Sequence, residues 1–251
     1  MIPKIIHYCW LSGDPYPELI SKCIQSWNVH LSDYQFILWD KEKADSINSE
    51  WLKQAIESKK YAFAADFIRI YALFNFGGIY LDADVEVVAS LNPFLNHDFF
   101  IGFEFNNDLE PAIFGAVQEH PLLNDLLNYY HNRPFIRKDG SQDIRPLPTI
   151  FNEIASLQYS YKANGKFQII ENENIAIYPC EYFSPKNYYF KKIKKTTKTV
   201  AIHHFDSSWV KKNRKYWAKR KFHQLIFRLG GKSFHTQVTL IHRKITGLKQ
   251  Q

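Results

Sequence analysis

Cysteine is scarce in this 251-residue chain, which holds only Cys9, Cys23 and Cys180, far apart and irregularly spaced. That excludes a disulfide framework and a paired-thiol zinc pattern, and it points to a reducing compartment. No run of about 18 uncharged apolar residues occurs, so no segment is expected to span a membrane. The opening MIPKIIHYCW has too short an apolar stretch, and no small-residue cleavage site, to read as a signal peptide. Internal repeats are absent as well. Acidic residues are nearly missing after Phe190: Lys191 to Gln251 holds 17 Lys and Arg against Asp206 alone, while Met1 to Phe190 holds 15 against 24 Asp and Glu. The net charge of +7 therefore joins an acidic body to a basic tail. Such a tail is expected to meet polyanions, either anionic lipid or nucleic acid.

Apolar residues are plentiful, at 45% with 16% aromatic, enough for the core of one large domain. Strands are predicted at 3–10, 35–39, 79–81, 85–89, 99–104, 112–117, 167–171, 175–178 and 199–204. Helices are predicted at 17–29, 50–60, 61–76, 121–131 and 149–160, the third ended by Gly77-Gly78. Strands alternating with helices in the first half predict an α/β sheet with parallel strands. Beyond Val210, cations cluster at 211–221 and apolar residues recur at Trp217, Phe222, Leu225, Ile226 and Leu229. That pattern is expected of a basic amphipathic helix lying in a membrane interface.

Asp82-Ala83-Asp84 sits where an apolar strand runs out, and in extended chain residues two apart point the same way. Two carboxylates on one site can hold a divalent cation against the diphosphate of a nucleotide-sugar, whose leaving group must shed negative charge. With 13 Asp in the chain, chance alone gives roughly 0.6 such triplets, so the context has to decide. The preceding helix carries Asp66 and Arg69, three apart and on one face, among Ala62, Ala64, Ala65, Phe67, Ile68 and Ile70. A buried carboxylate and guanidinium need a reason, and sugar hydroxyls supply one. Near the end, AIHHFDSSW offers His203 and His204; neutral imidazole suits manganese beside carboxylates. Adjacent residues on a strand face opposite ways, so one histidine is expected to serve, His203 ahead of His204.

The run KKYAFAADFIRIYALFNFGGIYLDADVEV (59–87), with IPKIIHYCWLSG at the start, FIGFE at 100–104 and AIHHFDSSW at 201–209, resembles the DXD-containing sugar transferases of glycosyltransferase family 32. These include bacterial capsular and O-antigen transferases and yeast mannosyltransferases, and their core is related to that of the large clostridial glucosylating toxins. The resemblance implies a GT-A fold over residues 1–209, followed by a basic helical appendage at 210–251. It implies retention of anomeric configuration and dependence on Mn2+ or Mg2+. Trp10 matches the position whose ring stacks on the donor's base, and Asp66 and Arg69 match positions that bind the donor sugar. Asp82 matches the residue near ribose and sugar, and Asp84 the direct metal ligand. Ser208 and Trp209 match positions touching the donor's phosphates. The middle loop RPLPTIFNE (145–153) departs from the family's pattern, so acceptor contacts do not carry over; Thr149, Asn152 and Glu104 are the candidates there.

The expected donor is a UDP-hexose. The expected acceptor is a lipid-linked saccharide, at the inner face of a bacterial plasma membrane, in capsule or O-antigen synthesis. A nucleic-acid partner is not expected, because it would leave the Asp66, Arg69, Asp82 and Asp84 cluster unexplained. A phosphohydrolase with Asp82 as nucleophile is the other alternative. Such enzymes place that Asp after the first strand, where this chain has Trp10.

Overall fold

The computed structural model describes residues 1–188, 190–206 and 214–247, some side chains of the last stretch excepted. Two units form: Met1–Lys186 with Lys194–Asp206, and Asn187–Ile193 with Ser207–Gln251. The expected boundary at 209/210 falls among residues 207–213, which are not described.

The first unit opens with β1 (Ile5–Cys9), α1 (Glu18–His30) and β2 (Gln35–Trp39). Two short helices follow, α2 (Lys41–Asp45) and α3 (Glu50–Glu57), each begun by a side chain that accepts from a backbone N–H: Asp40 from Lys43 and Ser49 from Leu52. The apolar helix α4 (Tyr61–Phe76) leads into β3 (Gly78–Leu81) and β4 (Val85–Val87). Then come β5 (Phe99–Phe103), β6 (Leu109–Ala116), α5 (Pro121–Tyr130) and α6 (Leu147–Gln158). β7 (Gln168–Ile170), β8 (Ile175–Tyr178), α7 (Cys180–Phe183) and β9 (Ala201–His203) complete the unit.

Seven strands form one mixed sheet in the order β2-β1-β3-β6-β5-β8-β7, and β4 pairs with β9 in a separate two-stranded sheet. Five strands of the large sheet point one way, while β6 and β7 run against them. The parallel pairing expected for the first half is present in β2-β1-β3. Both faces of the sheet are covered, and period-two alternation divides the side chains between them. Tyr80, Phe99, Ile101 and Phe103 join Trp51, Ile68, Leu123 and Phe151 on one side, the side of α3 to α6. Ile79, Leu81, Phe100 and Ile113 join Ile6, Trp27 and Phe183 on the other, the side of α1 and α7.

The turn from α4 into β3 needs its glycines. Gly77 has φ 63° and Gly78 φ 108°, and a Cβ on Gly78 would lie 2.6 Å from the Ile5 carbonyl oxygen. That close approach lets β3 pair with β1 directly after a four-turn helix.

The second unit carries α8 (Arg214–Gly247), which the left-handed backbone of Gly231 (φ 67°) divides into two successive helices. On the first of them Arg214, Lys221 and Arg228 are exposed at seven-residue spacing. Phe222 (55%), Leu225 (54%) and Leu229 (75%) are exposed beside them. Ile226, included in the apolar stripe expected from sequence, is buried rather than exposed. It lies on the same helical face as Phe222 and Leu229, at the edge of the stripe where the side chain is covered.

Candidate functional site

The carboxyl ends of β1 and β3 and the start of the opposed β6 lie along one sheet edge, where an α/β sheet customarily places its ligands. Asp82 follows β3 there, and its N–H donates to the Ala112 carbonyl on β6. The strand reading of the triplet needs correction. Asp82-Ala83-Asp84 is a tight turn, closed by the Val85 N–H donating to the Asp82 carbonyl at 2.9 Å, and not a stretch of extended chain. The two carboxylates meet because the backbone folds back between β3 and β4. The Trp27 indole of α1 fixes the exit by donating to the Val85 carbonyl at 2.7 Å.

β9 completes the site. Its antiparallel register sets His203 opposite Val85, next to Asp84, and the His204 N–H donates to the Asp84 carbonyl. Asp82, Asp84 and His203 each offer one ligand atom, and these atoms lie within 4.8 Å of one another. Two carboxylate oxygens and an imidazole nitrogen are a donor set that suits Mn2+. Asp84 is held on two sides: the Asp206 N–H donates to Oδ2 at 2.8 Å, and His203 Nε2 is 3.4 Å from Oδ1. Burial alone would raise the Asp84 pKa, but the His203 charge and these donors outweigh it and hold the carboxyl well below its ordinary range. His204 turns elsewhere, with Nε2 2.9 Å from Glu86 Oε2 and Nδ1 3.4 Å from Lys186 Nζ.

Arg69 of α4 is buried and Asp66 half-buried, with side chains 8% and 13% exposed. Arg69 has protein acceptors for its whole guanidinium. Nε donates to the Ala65 carbonyl, Nη1 to Asp82 Oδ2 and the Pro111 carbonyl, and Nη2 faces Asp66 Oδ1 at 3.2 Å and Asp82 Oδ1 at 3.1 Å. Its plane also covers the Tyr80 ring at 4.6 Å, and the Tyr80 hydroxyl donates to Asp82 Oδ1. A guanidinium has five N–H groups, so in this arrangement its work is to fix Asp82. Asp66 accepts from the Leu147 N–H at the start of α6. Burial raises its pKa to about 6, against the pull of Arg69. Asp82 is likewise raised by burial, with Arg69 opposing.

Trp10, just past β1, is partly exposed; its indole donates to the Asp14 carbonyl and its ring meets Tyr16 edge-on at 5.0 Å. Ser208 and Trp209 lie outside the described residues. Asn152 is occupied structurally, bracketing Leu109 through both its N–H and its carbonyl. Thr149 is exposed on α6, and the Glu104 N–H closes a turn onto the Asp108 carbonyl.

Sequence reading missed Glu110 and Ser184. Glu110 Oε1 is 2.8 Å from His203 Nδ1, and the Ser184 hydroxyl donates to Glu110 Oε2. Burial would lower the His203 pKa, yet Glu110 and Asp84 outweigh it and raise it well above its ordinary value. A signal was available. Glu110 stands beside the apolar AIFGAV run, as Asp66 and Arg69 stand within theirs.

Residues 17–101 match the family model described as the glycosyltransferase sugar-binding region containing the DXD motif. Inositol phosphoceramide mannosyltransferase 1 of Schizosaccharomyces pombe is 28% identical over 190 residues, 71% of this chain and 56% of that protein. Mannosyl phosphorylinositol ceramide synthase SUR1 of Saccharomyces cerevisiae is 28% identical over 207 residues, 78% and 51% respectively. The chain thus spans about half the length of these curated relatives. Among solved structures, mouse xyloside xylosyltransferase 1 in its apo form matches with TM-score 0.50 and 8% identity, over 81% of this chain and 98% of that one, a likeness of fold alone. The Asp82-Ala83-Asp84 turn falls inside the matched sugar-binding region, so the chain carries the DXD signature of the sugar transferases it resembles, set on a mixed α/β sheet of the GT-A type.

Proposed function

We propose that the protein transfers a hexose from a nucleotide-sugar to a saccharide or polyol group on a lipid, at an anionic membrane surface. The observation that carries this reading is the convergence of Asp82, Asp84 and His203 at the sheet edge beside Trp10. Those three residues would hold Mn2+ or Mg2+, which when bound neutralises the charge developing on a departing diphosphate. Asp84, kept ionised, and Asp82, braced by Arg69 and Tyr80, would present fixed oxygens to such a cation. Trp10 offers a partly exposed ring on which the donor's base would stack. Among the described residues no covalent nucleophile stands out, so retention would follow attack from the face on which the nucleotide leaves, its phosphate accepting the acceptor's proton.

The names of the yeast relatives favour a mannosyl donor and a phosphoinositol-ceramide-like acceptor, whereas the sequence reading favours a UDP-hexose and a bacterial lipid-linked glycan. The exposed apolar residues of α8, beside the line of Arg214, Lys221 and Arg228, support binding to anionic lipid. Among the described residues no helix is long and apolar enough to cross a membrane.

A panel of UDP- and GDP-sugars with Mn2+, read by thermal unfolding and donor hydrolysis, tests the proposal. A donor at 100 times its Kd stabilises the fold by about 2.7 kcal/mol. One nucleotide-hexose is expected to raise the midpoint only with metal present. No shift and no hydrolysis with any nucleotide-sugar would sink the reading.

A further inference from the structure

We infer that Glu110, held by Ser184, is a positioning residue for the cation site, fixing His203 so that Nε2 faces the metal. This rests on the reading of Asp82, Asp84 and His203 as the metal-holding set.

Glu110 lies on β6, all eight residues of which are buried, and is itself 8% exposed. A carboxylate placed there has to be compensated. Its two oxygens divide between two partners: Oε1 lies 2.8 Å from His203 Nδ1, and Oε2 accepts from the Ser184 hydroxyl. The approach to Nδ1 is oblique, so the contact is an ion pair more than an aligned hydrogen bond. On its other side, His203 Nε2 faces Asp84 Oδ1. Phe205 covers the ring, with centroids 3.9 Å apart.

The chain Ser184–Glu110–His203 therefore ties three separate elements together. β9 brings the imidazole, β6 from the large sheet brings the carboxylate, and the end of α7 brings the hydroxyl. An imidazole binds a cation through one nitrogen only when the other carries the proton, and a carboxylate at Nδ1 enforces that state. It also makes Nε2 a stronger donor; loss of such outer partners typically weakens metal binding by about 10- to 100-fold. His204, one residue on, has a glutamate partner too, but its Nε2 is the nitrogen that faces it, which leaves Nδ1 toward Lys186 rather than toward Asp84. Of the two histidines, only His203 has Nε2 facing Asp84.

The test is Mn2+ titration of the full chain, reading free Mn2+ by electron paramagnetic resonance, with circular dichroism confirming that each variant is folded. Wild type should bind Mn2+; Glu110→Gln, which keeps the shape but loses the charge, should bind it about 10-fold more weakly or worse. Ser184→Ala should weaken it by less, and Glu86→Gln, at the other histidine, should leave it unchanged. Equal Mn2+ affinity in wild type and folded Glu110→Gln would overturn the role of Glu110, as would an equal loss in Glu86→Gln. Failure of wild type to bind Mn2+ would overturn the metal site itself, and this inference with it.

Discussion

At the scale of single residues, the site is a set of buried charges that restrain one another. Asp84 accepts from the Asp206 backbone and faces His203, so Asp84→Asn keeps the shape and the backbone acceptor while removing a charged metal ligand. Mn2+ binding, donor hydrolysis and transfer should all disappear while the protein stays folded by circular dichroism, with stability at neutral pH lowered because the buried His203 loses one of its charged partners. Chelation of the wild-type protein should reproduce the loss reversibly. Full turnover of donor in EDTA would remove the metal from the chemistry. Arg69 is a different case, because its guanidinium is shared among Ala65, Asp66, Asp82 and Pro111. Lysine keeps the charge but cannot span that fork. Arg69→Lys should therefore cost about 3 kcal/mol in chemical denaturation as well as activity, as breaking a buried pair does. An exposed ion pair would tolerate the exchange within about 0.5 kcal/mol, so near-wild-type stability would mean that Asp82 is held by something else.

Elements place these residues, and their ends carry their own chemistry. α5 begins at His120, whose Nδ1 accepts from the Leu122 N–H and whose ring packs on Phe99 at 5.0 Å. Burial lowers its pKa from 6.5 to about 4. The unfolded chain thus binds a proton that the native cap refuses. The stabilising contribution is complete above pH 6.5 and is lost as the pH falls toward 4. Asparagine caps a helix without titrating. Between pH 7 and 4.5, wild type should lose about 2–3 kcal/mol more stability than His120→Asn, measured as the difference of denaturation free energies. Asp66, raised to about 6, acts in the opposite sense over this window but is common to both proteins. Parallel pH profiles for the two would show that His120 titrates normally.

For the whole molecule, the separation of charge is the dominant feature, an acidic body to Phe190 and a basic tail beyond it. Each cation near an anionic leaflet contributes about 1 kcal/mol, and three in line on α8 beside an apolar strip add both terms of interfacial binding. Lys221→Glu with Arg228→Glu should lower affinity for phosphatidylserine-containing vesicles at least about 10-fold, without changing donor hydrolysis in solution. Salt at about 0.5 M should mimic this on the wild type, since the screening length then shrinks to a few ångströms. Equal sedimentation of variant and wild type with the vesicles would defeat the membrane role.

Local order was readable along the chain. α4 announced itself by its apolar run and its Gly77-Gly78 stop, because only glycine accepts that left-handed turn against Ile5. Every predicted strand overlaps an observed one and ends within about three residues of it, since period-two patterning and turn residues are local signals. α2 and α7 escaped notice; at five and four residues they are too short to show a helical period. Asp66, Arg69, Asp82 and Asp84 were legible because charge inside apolar sequence is costly and needs an explanation. Three things depended on the assembled fold: which histidine turns its Nε2 toward Asp84, what Arg69 holds, and that Glu110 stands behind His203. The two histidine contacts join residues dozens of positions apart through strand register, and Arg69 reaches Asp82 and Pro111 only because α4 packs against β3 and β6. Such distances are fixed only when packing has chosen the partners, so no local pattern in the chain encodes them.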